Sequence, residues 1–373
     1  MKLGQPLQLG GHRLRNRVVS PPMERNYGTP DGRVADPAVS GFQPVAPSPV
    51  PFRGRTPREL TIADVEELTV AFGAAARRCA EAAVDVIEVH AAHGYLIHQF
   101  LSPRTNRRTD RYADPVRFLA DVLQQVRAVA PHAAVVLRLS AFEGVPDGLD
   151  AIATLALTGR LPLHLVDALD ISAGCYEAGE WIVQPGEVDR GVLAPYAAMF
   201  RVFGKPVGVA GRIVTGDTAE EILASGAADF VAVGRALHAD PGWTAATLAG
   251  VLPRPCIGCN QGCIDVLHTQ QPIWCLVNPG AGREASRGAG RGASPGRRRV
   301  LVAGAGVAGR ASSTCVTGYG TRIHHDRTAS SRSGEPTAPE SPRPTPPRPP
   351  VTGCCFSRPA RSSRPRPDHG RRA

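Results

Sequence analysis

Lysine is almost missing from this chain: of its 43 Lys and Arg residues only Lys2 and Lys205 are lysine, a bias that fits a GC-rich coding sequence. Aromatic residues make up only 5% of the chain. No apolar run reaches the length of a membrane span, and no signal-peptide-like apolar stretch follows the N-terminus. These absences argue against a membrane-spanning helix in this chain. They predict a soluble, cytoplasmic protein whose cysteines are reduced or hold metal rather than forming disulfides.

Acidic residues are scarce at one end. The segment from Arg310 to Ala373 has 12 Arg, no Lys and four Asp or Glu, a balance of +8. Arg283 to Arg299 adds +5, so of the total +10 the body, residues 1–282, is left with −3. The tail also lacks large apolar residues beyond Val316, Ile323, Val351 and Phe356, while holding 11 Pro. Such a segment cannot offset its ordering entropy by burial and is expected to be disordered. An arginine-rich tail can bind a phosphate backbone. With only Tyr319 and Phe356 to stack on bases, nucleic acid is not the expected partner.

What is present is an alternation of strands and helices. Arg17–Met23 (RVVSPPM) reads as a first strand, closed by Pro-Pro. Tyr27 to Pro57 is Pro/Gly-rich and reads as loop. Thr61 followed by Glu66–Ala83 reads as a helix with Leu68, Phe72, Ala75, Cys79 and Ala82 on its apolar face. Further strands are expected at Val84–His90, Ala133–Leu139, Ala168–Ile171, Val207–Ala210 and Asp229–Val233. Between them, helices are expected at Val116–Val129, Leu149–Thr158, around Pro195–Phe203, and at Asp217–Ser225. Continuous apolar strands separated by helices imply an α/β fold whose parallel strands are covered on both faces. A doubly wound sheet and a (β/α)8 barrel both fit. The barrel is favoured because His90, Arg138, Gly211–Arg212 and Gly234–Arg235 stand at C-terminal strand ends, where barrels keep their chemistry.

His90-Ala-Ala-His93-Gly-Tyr95 follows one such strand end. Two imidazoles can donate hydrogen bonds to a carbonyl oxygen, and a neighbouring phenol can supply a proton. A metal pair or ordinary loop polars are the alternatives. Cys256, Cys259, Cys263 and Cys275 have the spacing C-x2-C-x3-C-x11-C. Four thiolates can surround an iron–sulfur cubane, one per iron; structural zinc is the other reading.

The stretch HAAHGYLIHQFLSPRTNRRTDRY resembles the signature of the old yellow enzyme family of FMN-dependent ene-reductases. The resemblance implies a TIM-barrel flavin domain. It implies that His90 and His93 hold the substrate carbonyl over the flavin and that Tyr95 protonates Cα after hydride arrives from N5. By the same resemblance Pro22 and Met23 lie against the flavin ring. Arg138 neutralises the reduced flavin, and Gly211, Arg212, Gly234 and Arg235 hold its phosphate. The cysteine spacing after such a barrel is similar to that of the 2,4-dienoyl-CoA reductase branch, which implies a 4Fe–4S cluster on Cys256, Cys259, Cys263 and Cys275. The implied substrate is an α,β-unsaturated carbonyl compound or enoyl thioester, with NAD(P)H as ultimate electron donor.

The domains expected are a flavin barrel over 1–250, a cluster segment over 251–282, a linker with the first strand and turn of a dinucleotide domain over 283–309, and the tail over 310–373. Two features depart from the family. Only 60 residues separate Met23 from Val84, too few for two further strand–helix units. The barrel is therefore expected to be incomplete, with six recognisable strands of eight. Gly304-x-Gly306-x-x-Gly309 follows a strand-like VLVA but is succeeded by no helical pattern, so the FAD domain of the family is expected to be lost. A non-catalytic remnant that holds only the cluster is the alternative reading, and a nucleic-acid-binding tail a weaker one.

Overall fold

One curled parallel sheet carries the protein's core. The computed structural model describes residues 1–23, 43–269 and 271–283, all within one compact unit, Met1–Cys315. The expectations for the tail and for Gly304–Gly309 lie outside the described residues.

The strands in chain order are β1 (Leu7–Leu9), β2 (His12–Leu14), β3 (Val18–Val19), β4 (Val45–Ala46), β5 (Arg58–Glu59), β6 (Val86–Ala91), β7 (Ala134–Ser140), β8 (Ala168–Ser172), β9 (Val207–Val209) and β10 (Phe230–Ala232). β3 and β6–β10 form a six-stranded parallel sheet in the order β3-β10-β9-β8-β7-β6. Among the described residues β3 and β6 are its two edges, so the sheet is an incomplete barrel. The six strands expected from sequence are the six of this sheet; β1, β2, β4 and β5 were not expected, and β4 falls within the stretch from Tyr27 to Pro57 read as loop, too short at two residues to show an alternation. Their residues are mostly apolar and buried, as in β7, where all seven residues are buried and only Arg138 and Ser140 are polar.

Aspartates set the register at the strand entrances. Asp167 accepts the N–H of Val135 at 2.8 Å and pairs with Arg127 at 2.7 Å. Asp229 does the same for Val207 at 2.9 Å, paired with Arg201 at 2.8 Å. Each carboxylate therefore satisfies a backbone donor on the strand beside its own, where the parallel ladder begins.

Helices α1 (Ile62–Glu81), α2 (Leu96–Leu101), α3 (Arg117–Val129), α4 (Ala151–Gly159), α5 (Ala194–Met199) and α6 (Gly216–Ser225) cover the sheet. Thr61 caps α1 through a reciprocal box with Asp64, which satisfies two otherwise orphaned donors. The buried stripe of α1 is Val65, Thr69, Gly73 and Ala76. Leu68, Phe72 and Cys79 flank it as expected, but Ala75 and Ala82 are exposed. Gly73 shifts the contact line, because a Cβ there would already stand 3.3 Å from Gln125 Oε1 on α3. α2 was not expected as a helix; its six residues are too few to set a period.

The segment that begins β4 is anchored by the loop beyond α2. Buried Arg108 donates to the carbonyls of Pro47 (2.9 Å) and Leu60 and pairs with Asp110, while Ser48 Oγ accepts the N–H of Arg107 at 2.9 Å. On the other side of the undescribed stretch, Met23 lies on Gly234, whose hypothetical Cβ would stand 2.9 Å from the Met23 sulfur.

Candidate active site

His90, Arg138 and Asp170 share one row of the sheet: His90 pairs with Arg138 and Arg138 with Asp170 across three neighbouring strands. Glu88 stands two residues before His90, on the same strand face. Arg138 Nη1 lies 2.6 Å from Asp170 and 3.7 Å from Glu88. One guanidinium thus faces two buried carboxyls. Burial, then the proximity of Asp170, pushes Glu88 up to about 7, and burial raises Asp170 as well.

Beyond β6 the chain turns sharply. His93 (φ +63) and Gly94 (φ +80) are both left-handed, and Tyr95 follows as the residue before α2. The turn folds three rings together: His90 and His93 are 5.0 Å apart and His90 and Tyr95 5.1 Å. His93 Nε2 contacts Ser172 Oγ at 2.7 Å. His90 Nδ1 is buried and has no hydrogen-bond partner among the described residues. Burial first, then the Arg138 charge, pulls His90 down to about 4 and His93 well below its ordinary value. Both imidazoles are therefore neutral at neutral pH and act through N–H groups rather than charge. Tyr95 is 40% exposed at the mouth of this group, with Tyr176 edge-on at 5.3 Å and Phe52 beyond it at 6.3 Å.

The two Gly-Arg pairs follow β9 and β10 on the same rim of the sheet. Gly211 has φ +120, and a Cβ there would stand 2.9 Å from Leu193, so only glycine fits. Arg212 donates to the Val188 carbonyl, and its Nε is buried with no partner among the described residues. Arg235 donates to Gln184 O at 2.6 Å and Asn260 Oδ1 at 2.7 Å. Pro22 is exposed, and Met23 is half-buried against Gly234. The Nη1 groups of both arginines hold carbonyls of the 184–188 loop.

Cys256, Cys259, Cys263 and Cys275 line one cavity together with Arg235 and Trp274. Among the described residues, no three His, Cys, Asp or Glu side chains are arranged to hold a metal ion. Burial pushes the Cys263 thiol up to about 12 and raises Cys256, with Arg235 opposing both.

The sequence model of the NADH:flavin oxidoreductase / NADH oxidase family matches residues 44–251. The chain belongs to this family. Among the family's relatives, the chain is 40% identical over 304 residues to an NADH oxidase of Thermoanaerobacter brockii, covering 78% of this chain and 46% of that one. It is 32% identical over 310 residues to a cinnamate reductase of Clostridium sporogenes, covering 74% of this chain and 45% of that protein. The chain thus spans about half the length of these relatives. In fold it is similar to 2-naphthoyl-CoA reductase, with a TM-score of 0.69, 22% identity and coverage of 76% of this chain and 58% of that one. It is also similar to the old yellow enzyme homologue of Zymomonas mobilis, with a TM-score of 0.56, 21% identity and coverage of 73% and 97%. Those likenesses establish a TIM-barrel type of fold, here incomplete.

Several residues of the site were not singled out from sequence. Glu88 and Asp170 are the interior carboxylates of the otherwise apolar runs VDVIEVH and VDALDIS, and strand alternation places both on the His90 face. Tyr176 and Ser172 carried no spacing signal. His98 lay within the quoted motif without a role.

Proposed function

We propose that this chain is an FMN-dependent ene-reductase. It reduces the C=C bond of an α,β-unsaturated carbonyl compound or enoyl thioester with two electrons from NAD(P)H, delivered as hydride, and one proton. The observation that carries the reading is the convergence of neutral His90, neutral His93 and exposed Tyr95 at the C-terminal end of β6, beside Arg138.

The residues fit FMN at both ends. At the phosphate end stand Gly211, which accepts no side chain, the unpartnered Arg212 Nε, and Gly234 with Arg235. At the ring end stand Arg138, Pro22 and Met23. Bound there, FMN supplies the hydride at N5. His90 and His93 orient the substrate's carbonyl oxygen through N–H groups, and their neutrality lets them donate without fixing a full charge on the bound substrate. Tyr95 gives its phenolic proton to Cα and recovers one from water, to which its exposure opens it. Arg138 holds positive charge at the pyrimidine end, balanced against Glu88 and Asp170.

The cysteines support a second cofactor. A zinc ion draws all its thiolates to about 2.3 Å, whereas a cubane gives each thiolate its own iron and a wider spread. The C-x2-C-x3-C-x11-C spacing and the one cavity the four cysteines share are what support a 4Fe–4S cluster here. The cinnamate reductase relative extends the substrate range to aryl-conjugated acids.

The test is anaerobic turnover of the full chain with added FMN. NADH or NADPH oxidation is followed with 2-cyclohexen-1-one, cinnamate and crotonyl-CoA. Stoichiometric formation of the saturated product is expected; oxidation of nicotinamide with none of the three reduced refutes the reading.

A further inference from the structure

The turn that presents Tyr95 is tied down by the helix that follows it. Left-handed backbone at a residue as large as histidine is strained and persists only when its surroundings fix it. Here buried side chains take both consecutive N–H donors. His93 N–H donates to Ser140 Oγ at 3.0 Å, and Gly94 N–H donates to His98 Nδ1 at 2.7 Å. The Gly94 carbonyl accepts from Gln99 Nε2 at 2.8 Å. Thus Gly94 is gripped at its N–H and its C=O by successive residues, His98 and Gln99, the first of them one helical turn further on.

His98 is 2% exposed. To accept from Gly94 its Nδ1 must be unprotonated, which places the ring proton on Nε2. That nitrogen faces Glu143 Oε1 at 3.6 Å, and Glu143 Oε2 accepts the N–H of Leu149 at 2.9 Å. Burial, followed by the nearby His90, pulls His98 down to about 4, so the ring stays neutral and the acceptor is always available.

We infer that His98 is a positioning residue for Tyr95. By accepting the Gly94 N–H, its Nδ1 fixes the left-handed turn from which the phenol is set beside His90. Its kinetic consequence rests on the ene-reductase reading; its structural consequence does not.

Three substitutions separate the atoms of the ring. Asparagine puts Oδ1 where Nδ1 stands, glutamine puts Oε1 where Nε2 stands, and leucine removes both polar positions. Amide hydrogen exchange at Gly94 reads the contact without turnover. We expect it to be at least tenfold faster in His98→Gln and His98→Leu, and within threefold of the unsubstituted chain in His98→Asn. With added FMN, kcat for 2-cyclohexen-1-one falls at least tenfold in His98→Gln with KM within twofold, and His98→Asn restores it. Should a variant fail to fold, the nitrogen-15 spectrum of the unsubstituted chain decides, with an unprotonated Nδ1 and a protonated Nε2 expected at His98. A proton on Nδ1, unchanged Gly94 exchange in His98→Leu, or equal behaviour of the Asn and Gln variants overturns the inference. Gly94 protection that follows the expected order in a chain that reduces no enone supports the role of His98 in the turn and refutes the ene-reductase reading alone.

Discussion

Glu88→Gln should make the protein more stable at alkaline pH and leave it nearly unchanged at acid pH. The Glu88 carboxyl is raised from 4.5 to about 7 by burial and by Asp170, against the pull of Arg138. Between those values the unfolded chain has released this proton and the folded chain still holds it. The folded state therefore binds more protons, and stability falls as pH rises through that window. A rise of that size corresponds to about 3 kcal/mol of lost stability once pH exceeds the folded value. Below about 4.5 both states are protonated and nothing is lost. Glutamine keeps the shape, removes the ionisation, and can donate to the buried Asp170 oxygen that has no partner among the described residues. Urea denaturation followed by circular dichroism at pH 4.5, 6, 7 and 8.5 measures the difference between the two proteins. It should grow by up to about 3 kcal/mol over that range. A difference that does not change with pH, or one that shrinks as pH rises, refutes the placement of a retained proton at Glu88.

Tyr95→Phe should lower enone reduction by about 10²-fold, the usual worth of a positioned general acid, while nicotinamide oxidation with added FMN and an artificial acceptor stays near its original rate. Cys259→Ser should remove most of the iron and acid-labile sulfide from anaerobically reconstituted protein; unchanged iron would sink the cluster assignment. Because Gly211 combines φ +120 with a 2.9 Å approach to Leu193, Gly211→Ala should cost about 1–3 kcal/mol, measured as a fall in Tm. Because β3 and β6 are the sheet's edges among the described residues, purified protein should carry less than one flavin per chain, and a stoichiometric oxidised-flavin spectrum would contradict this.

The sheet was legible because its strands are short, apolar and bounded by helices with a clear period. Val84–His90 and Ala133–Leu139 fall within two residues of the observed β6 and β7. Thr61 identified the start of α1, since a hydroxyl before an apolar stripe with an acid three residues on is local chemistry. The exact stripe was not legible: Gly73 packs against Gln125, and no hydrophobicity pattern marks a glycine as interior. The rings of His90, His93 and Tyr95 were found together because they lie within six residues of one another. The partners of His93, Ser140 and Ser172, and the neighbouring Arg138–Asp170 pair come from β7 and β8, and only the parallel register brings them alongside. The carbonyl contacts of Arg212 and Arg235 were not legible for a different reason. A Gly-Arg pair fixes where the guanidinium starts, but the carbonyls of Gln184 and Val188 that receive it are defined only by the folded loop.

The two anchors that flank residues 24–42 have a consequence for engineering. Met23 is seated on Gly234 by the sheet, and Pro47 and Ser48 are clamped by Arg108 and Arg107 from the loop beyond α2. The two ends are held by different parts of the fold, one by the sheet and the other by that loop, so a substitution that loosens one leaves the contacts of the other in place.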